Sequence, residues 1–158
     1  MRLSLKTGFG FGLTSGVITT LGLIVGLNAG THSQIAVIGG IITIAIADAF
    51  SDALGIHISQ ESQNKYSERS IWESTISTFL SKFIVALTFI GPILFLELSQ
   101  AIPISIIWGF SILIIFNYII AKQQKKNPWE IIGEHITIAL AVVIITSFVG
   151  GWIENIFK

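Results

Sequence analysis

The sequence predicts an all-α, polytopic membrane protein with five transmembrane helices and a cytoplasmic N-terminus. Of the 158 residues, 52% are hydrophobic and only 11% are charged, whereas soluble domains carry about 25% charged residues. Five apolar stretches reach the roughly 20 residues that a helix needs to cross the hydrocarbon core. Their apolarity is continuous rather than alternating, which argues against an outer-membrane barrel.

The five predicted spans form a single domain, residues 1–158, with short links between them. The spans cover approximately residues 8–28, 35–58, 71–98, 102–121 and 131–153. The first apolar stretch is longer than the roughly 7–15 residues of a signal-peptide core, so we expect it to be a retained span. The compact length and the lack of a targeting segment favour a multi-pass protein of a prokaryotic plasma membrane.

The basic residues predict the orientation of the spans. Seven of the nine lie on one side if the N-terminus is cytoplasmic, as the positive-inside rule requires. These seven are Arg2, Lys6, Lys65, Arg69, Lys122, Lys125 and Lys126. The formal net charge is zero, so the composition indicates the lipid bilayer as a partner and gives no sign of nucleic-acid binding.

Glycines recur at a spacing of four residues along the first span. Gly12 and Gly16 form one such pair, and Gly22, Gly26 and Gly30 continue the pattern. Small residues at this spacing allow helix backbones to approach closely. The pattern fits packing within the chain and a homodimer interface through span one equally well, and we expect a homodimer.

Two aspartates lie inside the second predicted span, in the stretch ADAFSDALGIHIS (residues 47–59). Asp48 and Asp52 are four residues apart, so they share one helix face and are separated by about 6 Å along the axis. Counted from Ile35, they lie roughly 20 and 26 Å deep. Charged groups at such depths are energetically expensive and need a partner or a function.

The aspartate pair predicts a site at which protons and cations compete for the same oxygen atoms. Two carboxylates so close together in a low dielectric should not both ionise freely unless a cation arrives. Carboxylate oxygens suit divalent cations such as Mn²⁺ or Fe²⁺. The predicted metal-binding residues are Asp48, Asp52, His57 and Glu61, and Ser51 and Asn28 are predicted to line the pathway. The metal is a transported substrate, and no resident cofactor is predicted.

Lys82 lies about ten residues into the third span, where an unpaired lysine would be costly. Its expected partner is Asp52 or Asp48. One interpretation is a structural ion pair that fixes spans two and three. The other is a charge-coupling role, in which Lys82 competes with the cation for the aspartates and replaces a coupling ion.

The sequence contains no pattern typical of a soluble enzyme. It lacks a Gly-x-Ser-x-Gly motif, a phosphate-binding loop, paired zinc-ligand histidines and cysteine. The glycines at residues 8–12 follow no predicted strand, so they are not a nucleotide-binding fingerprint. An enzyme is therefore not expected.

Three stretches resemble the vacuolar iron transporter family, and the likeness covers nearly the whole chain. They are GLTSGVITTLGLIVGLNAG, ADAFSDALGIHISQES and STFLSKFIVALTFIGPILF. The resemblance implies a five-span homodimer that exchanges Fe²⁺ or Mn²⁺ for protons. It places Ser15 and Asp52 at two ligand positions of the pathway, where the family has an aspartate and a methionine, and Lys82 at a position that is usually aromatic. The short link at residues 59–70 leaves no room for the family's cytoplasmic metal-binding helices.

Together these observations predict secondary transport of a divalent cation, with exchange for protons as the expected mode. Two alternatives remain open at this point. One is a non-transporting membrane scaffold or partner subunit in which the Asp–Lys pair is structural. The other is a channel for protons or monovalent cations.

Overall fold

The computed structural model describes residues 2–157. Within this range the chain forms α1 (Leu3–Thr31), α2 (Gln34–Glu61), α3 (Glu68–Thr88), α4 (Ile90–Phe95), α5 (Leu98–Gln123) and α6 (Pro128–Phe157). With α3 and α4 taken together, the described residues contain five helical segments long and apolar enough to cross a membrane. The all-helical class and five long apolar helices compatible with a membrane protein are thus confirmed, whereas the cytoplasmic side of the N-terminus stays a prediction.

The helices extend beyond the predicted spans at most of their ends. The first begins at Leu3 rather than residue 8, and the last ends at Phe157 rather than residue 153. Polar residues continue the helices outside the apolar stretches. At the start of α3 the Ser67 hydroxyl oxygen caps the helix by accepting a hydrogen bond from the Ser70 amide at 3.3 Å. Such caps satisfy amide groups that a helix start leaves without partners.

The third span is interrupted, as the Gly91–Pro92 pair suggests. α3 ends at Thr88 and α4 begins at Ile90, and the amide of Phe89 donates to the carbonyl of Ala86 at 3.2 Å. Pro92 has no N–H to donate to the carbonyl four residues earlier, and its ring clashes with that carbonyl in a regular helix. α4 ends at Phe95, and Leu98, the approximate end of the predicted third span, is the first residue of α5.

The contacts of the chain define two compact units. Unit 1 contains residues 2–17 and Ile41–Ile90, and its apolar core includes Val17, Ala45 and Ala49. In unit 1, Gly8 and Gly12 of α1 face the backbone of α3, where an added Cβ would collide with the carbonyl oxygens of Ser74 and Thr78. The glycines therefore allow α1 and α3 to pack backbone against backbone.

Unit 2 contains residues 18–40 and 91–157. Gly22 and Gly26 of α1 face Val142 and Thr146 of α6. One face of α5 is buried at every fourth residue. Its members are Ala101, Ser105, Gly109, Leu113, Asn117 and Ala121.

Burial is inverted relative to a soluble protein. Lys82 is 1% exposed and is among the largest of the fully buried side chains, while Phe148 is 76% exposed and Phe95 is 85% exposed. Soluble proteins almost never bury lysine completely unless it is paired. An apolar surface with a paired charge inside is what a bilayer requires, so the chain has the character of a multi-pass membrane protein.

Candidate cation site

Three helices of unit 1 bring four polar side chains together around the end of Lys82. α1 contributes Ser15, α2 contributes Asp48 and Asp52, and α3 contributes Lys82. The two aspartates lie on one face because they are separated by about one helical turn. The sequence predicted that Lys82 pairs with one aspartate or the other, and the structure shows that it contacts both.

The absence of a side chain at Gly16 helps to place Lys82. A Cβ built at Gly16 would lie 3.3 Å from the Cα and the Cγ of Lys82. This is tight packing between α1 and the stem of the lysine, and it holds the stem between the helices. The four-carbon stem then carries the ammonium to the oxygens of α2.

The ammonium of Lys82 lies close to three oxygen atoms. The Lys82 Nζ donates hydrogen bonds to Asp52 Oδ2 at 2.5 Å and to Ser15 Oγ at 2.9 Å. Asp48 Oδ2 also lies 2.5 Å from Nζ, as an ion pair. The Ser15 hydroxyl in turn donates to Asp52 Oδ2 at 2.6 Å.

The two aspartates are held differently. Asp52 Oδ2 accepts two hydrogen bonds, one from Ser15 and one from Lys82. Asp48 Oδ2 is buried and contacts Lys82, but it accepts no hydrogen bond from any residue in the described range, because the angles of that contact do not suit one. Asp48 Oδ2 is therefore the aspartate oxygen of this cluster whose hydrogen-bonding capacity the described residues leave unused.

The cluster carries an excess of negative charge when all three groups are ionised, since two carboxylates face one ammonium. The lysine side chain is only 2% exposed, whereas those of Asp48 and Asp52 are 27% and 20% exposed on the surface of a single chain. A carboxylate that faced acyl chains at this depth would be strongly unfavourable. The exposed parts of these two side chains thus require water or another polar group beside them.

His57 does not join the aspartates, although it was predicted as a ligand. Its Nδ1 lies 3.0 Å from Thr75 Oγ1, and its ring meets Trp72 edge to face with the centroids 4.8 Å apart. His57, Trp72 and Thr75 line a largely apolar pocket of about 630 Å³ between α2 and α3. Phe50 and Phe79 also line this aromatic pocket. His57 follows Asp52 by five residues, which turns it about 140° around the helix.

The other predicted site residues have different surroundings. Glu61 is exposed at the last position of α2, and Ser51 lines the aromatic pocket with His57. Asn28 belongs to unit 2, where it lines a pocket of about 350 Å³ with Ser147. Within residues 2–157, no three His, Cys, Asp or Glu side chains form a group that could hold a metal ion. The predicted four-residue metal site is therefore not assembled in this structure, and its two aspartates stand with Ser15 and Lys82 instead.

Sequence reasoning missed two polar contacts between distant residues. Glu73 accepts hydrogen bonds from Arg2, Ser4 and Arg69. His32 Nε2 lies 3.4 Å from Glu154 Oε1. No local sequence pattern indicates the contacts of Arg2, Ser4 or His32, because their partners lie about 70 or more residues away. The contact of Arg69 with Glu73 could have been predicted from its i,i+4 spacing.

The comparisons with known proteins give no further guide to the site. No protein family, no curated protein and no solved structure matches this chain.

Proposed function

We propose that this chain is a membrane transporter that exchanges a divalent cation for protons at Asp48 and Asp52. The single observation that carries the proposal is the shared ammonium: two carboxylates inside a membrane span have only one cation between them. A site of this kind attracts a further positive charge, either a proton or a metal ion. Exchange follows when the two compete for the same oxygens.

The partial exposure of the aspartates supports transport over a purely structural role. A structural ion pair in a membrane is best sealed from both lipid and water, and Lys82 meets that expectation. Asp48 and Asp52 do not, because about a quarter and a fifth of their side-chain surfaces are open. A partly exposed aspartate side chain is accessible to a cation that arrives from a water-filled path.

The resemblance to the vacuolar iron transporter family agrees with this proposal in its cargo and its partner. Fe²⁺ and Mn²⁺ are the cations that it suggests, and a homodimer is the assembly. Carboxylate and hydroxyl oxygens in place of a methionine sulfur would favour the harder Mn²⁺. The glycines of α1 already face α3 in unit 1 and α6 in unit 2, so the proposed dimer would need to use a different surface from the glycine face.

A scaffold or partner subunit is the second candidate, and one observation favours it. Lys82 is almost fully buried and contacts both aspartates and Ser15. The same arrangement is expected of a structural ion pair that holds α1, α2 and α3 together. In that case the cluster fixes the bundle and moves no ion.

Ion flux in proteoliposomes distinguishes these candidates. Mn²⁺ uptake is measured together with the internal pH, reported by a pH-sensitive dye, for the wild type and for Asp52→Asn. Glu68→Gln is the matched control, because Glu68 is an exposed carboxylate at the start of α3. We expect Mn²⁺ uptake with opposing proton flux, abolished by Asp52→Asn and retained in the control.

Other results of the same assay support the alternatives. Proton or monovalent-cation flux that persists without Mn²⁺ would indicate a channel. The absence of any flux from folded wild-type protein would refute transport and leave the scaffold. Lys82→Met adds a second comparison: a coupling role predicts Mn²⁺ flux that no longer requires proton flux, whereas a structural role predicts loss of stability alone.

A further inference from the structure

We infer that the Lys82 ammonium occupies the seat of the transported cation and acts as a tethered cation that keeps the site closed until the substrate displaces it. This inference rests on the proposed function. The proposed function does not by itself specify the position at which the cation binds, the oxygen that contacts it beside the two aspartate oxygens, or the group that must leave.

The oxygens around Lys82 define the seat. Asp48 Oδ2, Asp52 Oδ2 and Ser15 Oγ lie 2.5, 2.5 and 2.9 Å from Nζ. They come from two helices and converge on one positive charge, and carboxylate and hydroxyl oxygens are the type of donor that hard cations prefer. A cation bound by the same three atoms would occupy the position of the ammonium, because two positive charges cannot share it.

The two sides of the seat differ, which allows an exchange. The lysine reaches the oxygens through the packed interior, and its side chain is 2% exposed. The two aspartate side chains are not sealed in this way, since 27% and 20% of their surfaces are exposed. A cation can therefore approach the aspartates without first passing the lysine stem. Lys82 can retract by rotating its outer torsions while its Cα stays fixed, since the stem has four flexible carbons.

Thr78 offers a place for the retracted ammonium. It precedes Lys82 by four residues, so it lies on the same face of α3, on the side toward which helical side chains lean. Thr78 is fully buried, and its Oγ1 has no hydrogen-bond partner in the described part of the chain. A buried hydroxyl without a partner is unusual, and an ammonium that arrives from the next turn would satisfy it.

Mn²⁺ binding to the purified full-length chain tests the tethered cation. Binding is measured by isothermal titration calorimetry at one fixed pH for the wild type, Lys82→Met and the double variant Lys82→Met/Ser15→Ala. Breaking a buried ion pair is strongly unfavourable, so removal of the competing ammonium should tighten Mn²⁺ binding on the order of a hundredfold. Loss of the third oxygen in the double variant should weaken binding again, by about tenfold.

Thr78→Val provides a second test that leaves the charged cluster intact. Loss of the alternative acceptor should make displacement of Lys82 harder, so we expect Mn²⁺ binding about tenfold weaker than that of the wild type. In the Lys82→Met background the same change should have no effect. A general disturbance of packing would instead weaken binding in both backgrounds.

The outcomes separate this inference from the proposed function. Lys82→Met protein that binds Mn²⁺ no more tightly than the wild type would overturn the tethered cation, even if wild-type flux is normal and transport stands. If Lys82→Met does not fold, Thr78→Val decides, and wild-type affinity in that variant would overturn the inference. Absence of wild-type flux would refute transport itself, whatever the binding measurements show.

Discussion

Asp52→Asn is expected to destabilise the protein more than Asp48→Asn, although each change removes one carboxylate from the same cluster. Asp52 Oδ2 accepts hydrogen bonds from the Ser15 hydroxyl at 2.6 Å and from the Lys82 ammonium at 2.5 Å. A hydrogen bond to a charged group contributes about 1.5–3 kcal/mol. The amide that replaces the carboxylate keeps one acceptor oxygen but loses the charge, so we expect a loss of roughly 3 kcal/mol in the free energy of unfolding.

Asp48→Asn should behave differently because of the charge balance. Asp48 Oδ2 accepts no hydrogen bond from the described residues, and replacement of this aspartate leaves one ammonium facing one carboxylate. Relief of the excess negative charge offsets the lost ion-pair contact, so we expect a change within about 1 kcal/mol of the wild type. Both variants should nevertheless lose Mn²⁺-coupled proton flux, since each lacks one of the two exchange carboxylates.

Reversible unfolding in mixed micelles, followed by circular dichroism, measures the difference between the two variants. Glu68→Gln serves as the control for loss of an exposed carboxylate and should unfold like the wild type. Equal destabilisation by the two aspartate variants, or a larger effect of Asp48→Asn, would refute the reasoning. Either result would mean that Lys82 and Ser15 do not favour Asp52 in the way the distances indicate.

Three further predictions concern packing, orientation and the aromatic pocket. Gly12→Ala should destabilise the chain by about 1–3 kcal/mol, because the new Cβ would meet Ser81 Oγ and the Thr78 carbonyl. Gly133→Ala is the control in the same unfolding assay. Its Cβ meets no described atom within 4 Å, so this variant should be neutral or slightly stabilised. The chain has no cysteine, so single cysteines introduced at Asn64 and Ser33 can be labelled with a membrane-impermeant thiol reagent in oriented vesicles. The predicted topology places these two positions on opposite sides of the membrane, and labelling of both from the same side would contradict it. His57→Ala should change Mn²⁺ affinity less than twofold in calorimetry, since its ring contacts Trp72 and Thr75 rather than the aspartates; a loss of about tenfold would restore it as a ligand.

The fold could be predicted from the sequence because the bilayer imposes simple rules. Continuous apolar stretches of sufficient length predicted the five spans. The ends of the helices were less predictable, because polar and interfacial residues continue a helix beyond the hydrocarbon core. α1, for example, begins at Leu3 rather than residue 8.

The candidate site could be predicted in part. The four-residue spacing of Asp48 and Asp52 placed them on one face, and the cost of a charge in lipid predicted that Lys82 would pair with an aspartate. The same periodicity, carried on to His57, would have turned this residue away from the pair. Spacing along one helix could not reveal the double contact of Lys82, since that depends on how closely α1 and α3 approach at Gly16.

The central claim is that Asp48 and Asp52 face water inside the membrane, and thiol accessibility at position 48 tests it most directly. Asp48→Cys and Ile46→Cys are compared by their rates of reaction with a small, charged, water-soluble methanethiosulfonate reagent. Ile46 is the control, because it lies on the same helix and its apolar side chain is exposed on the surface of a single chain. The thiolate is the reactive form and requires a hydrated, polar surrounding. Rapid modification of Asp48→Cys with a nearly unreactive Ile46→Cys is the predicted result, and two equally unreactive positions would contradict it.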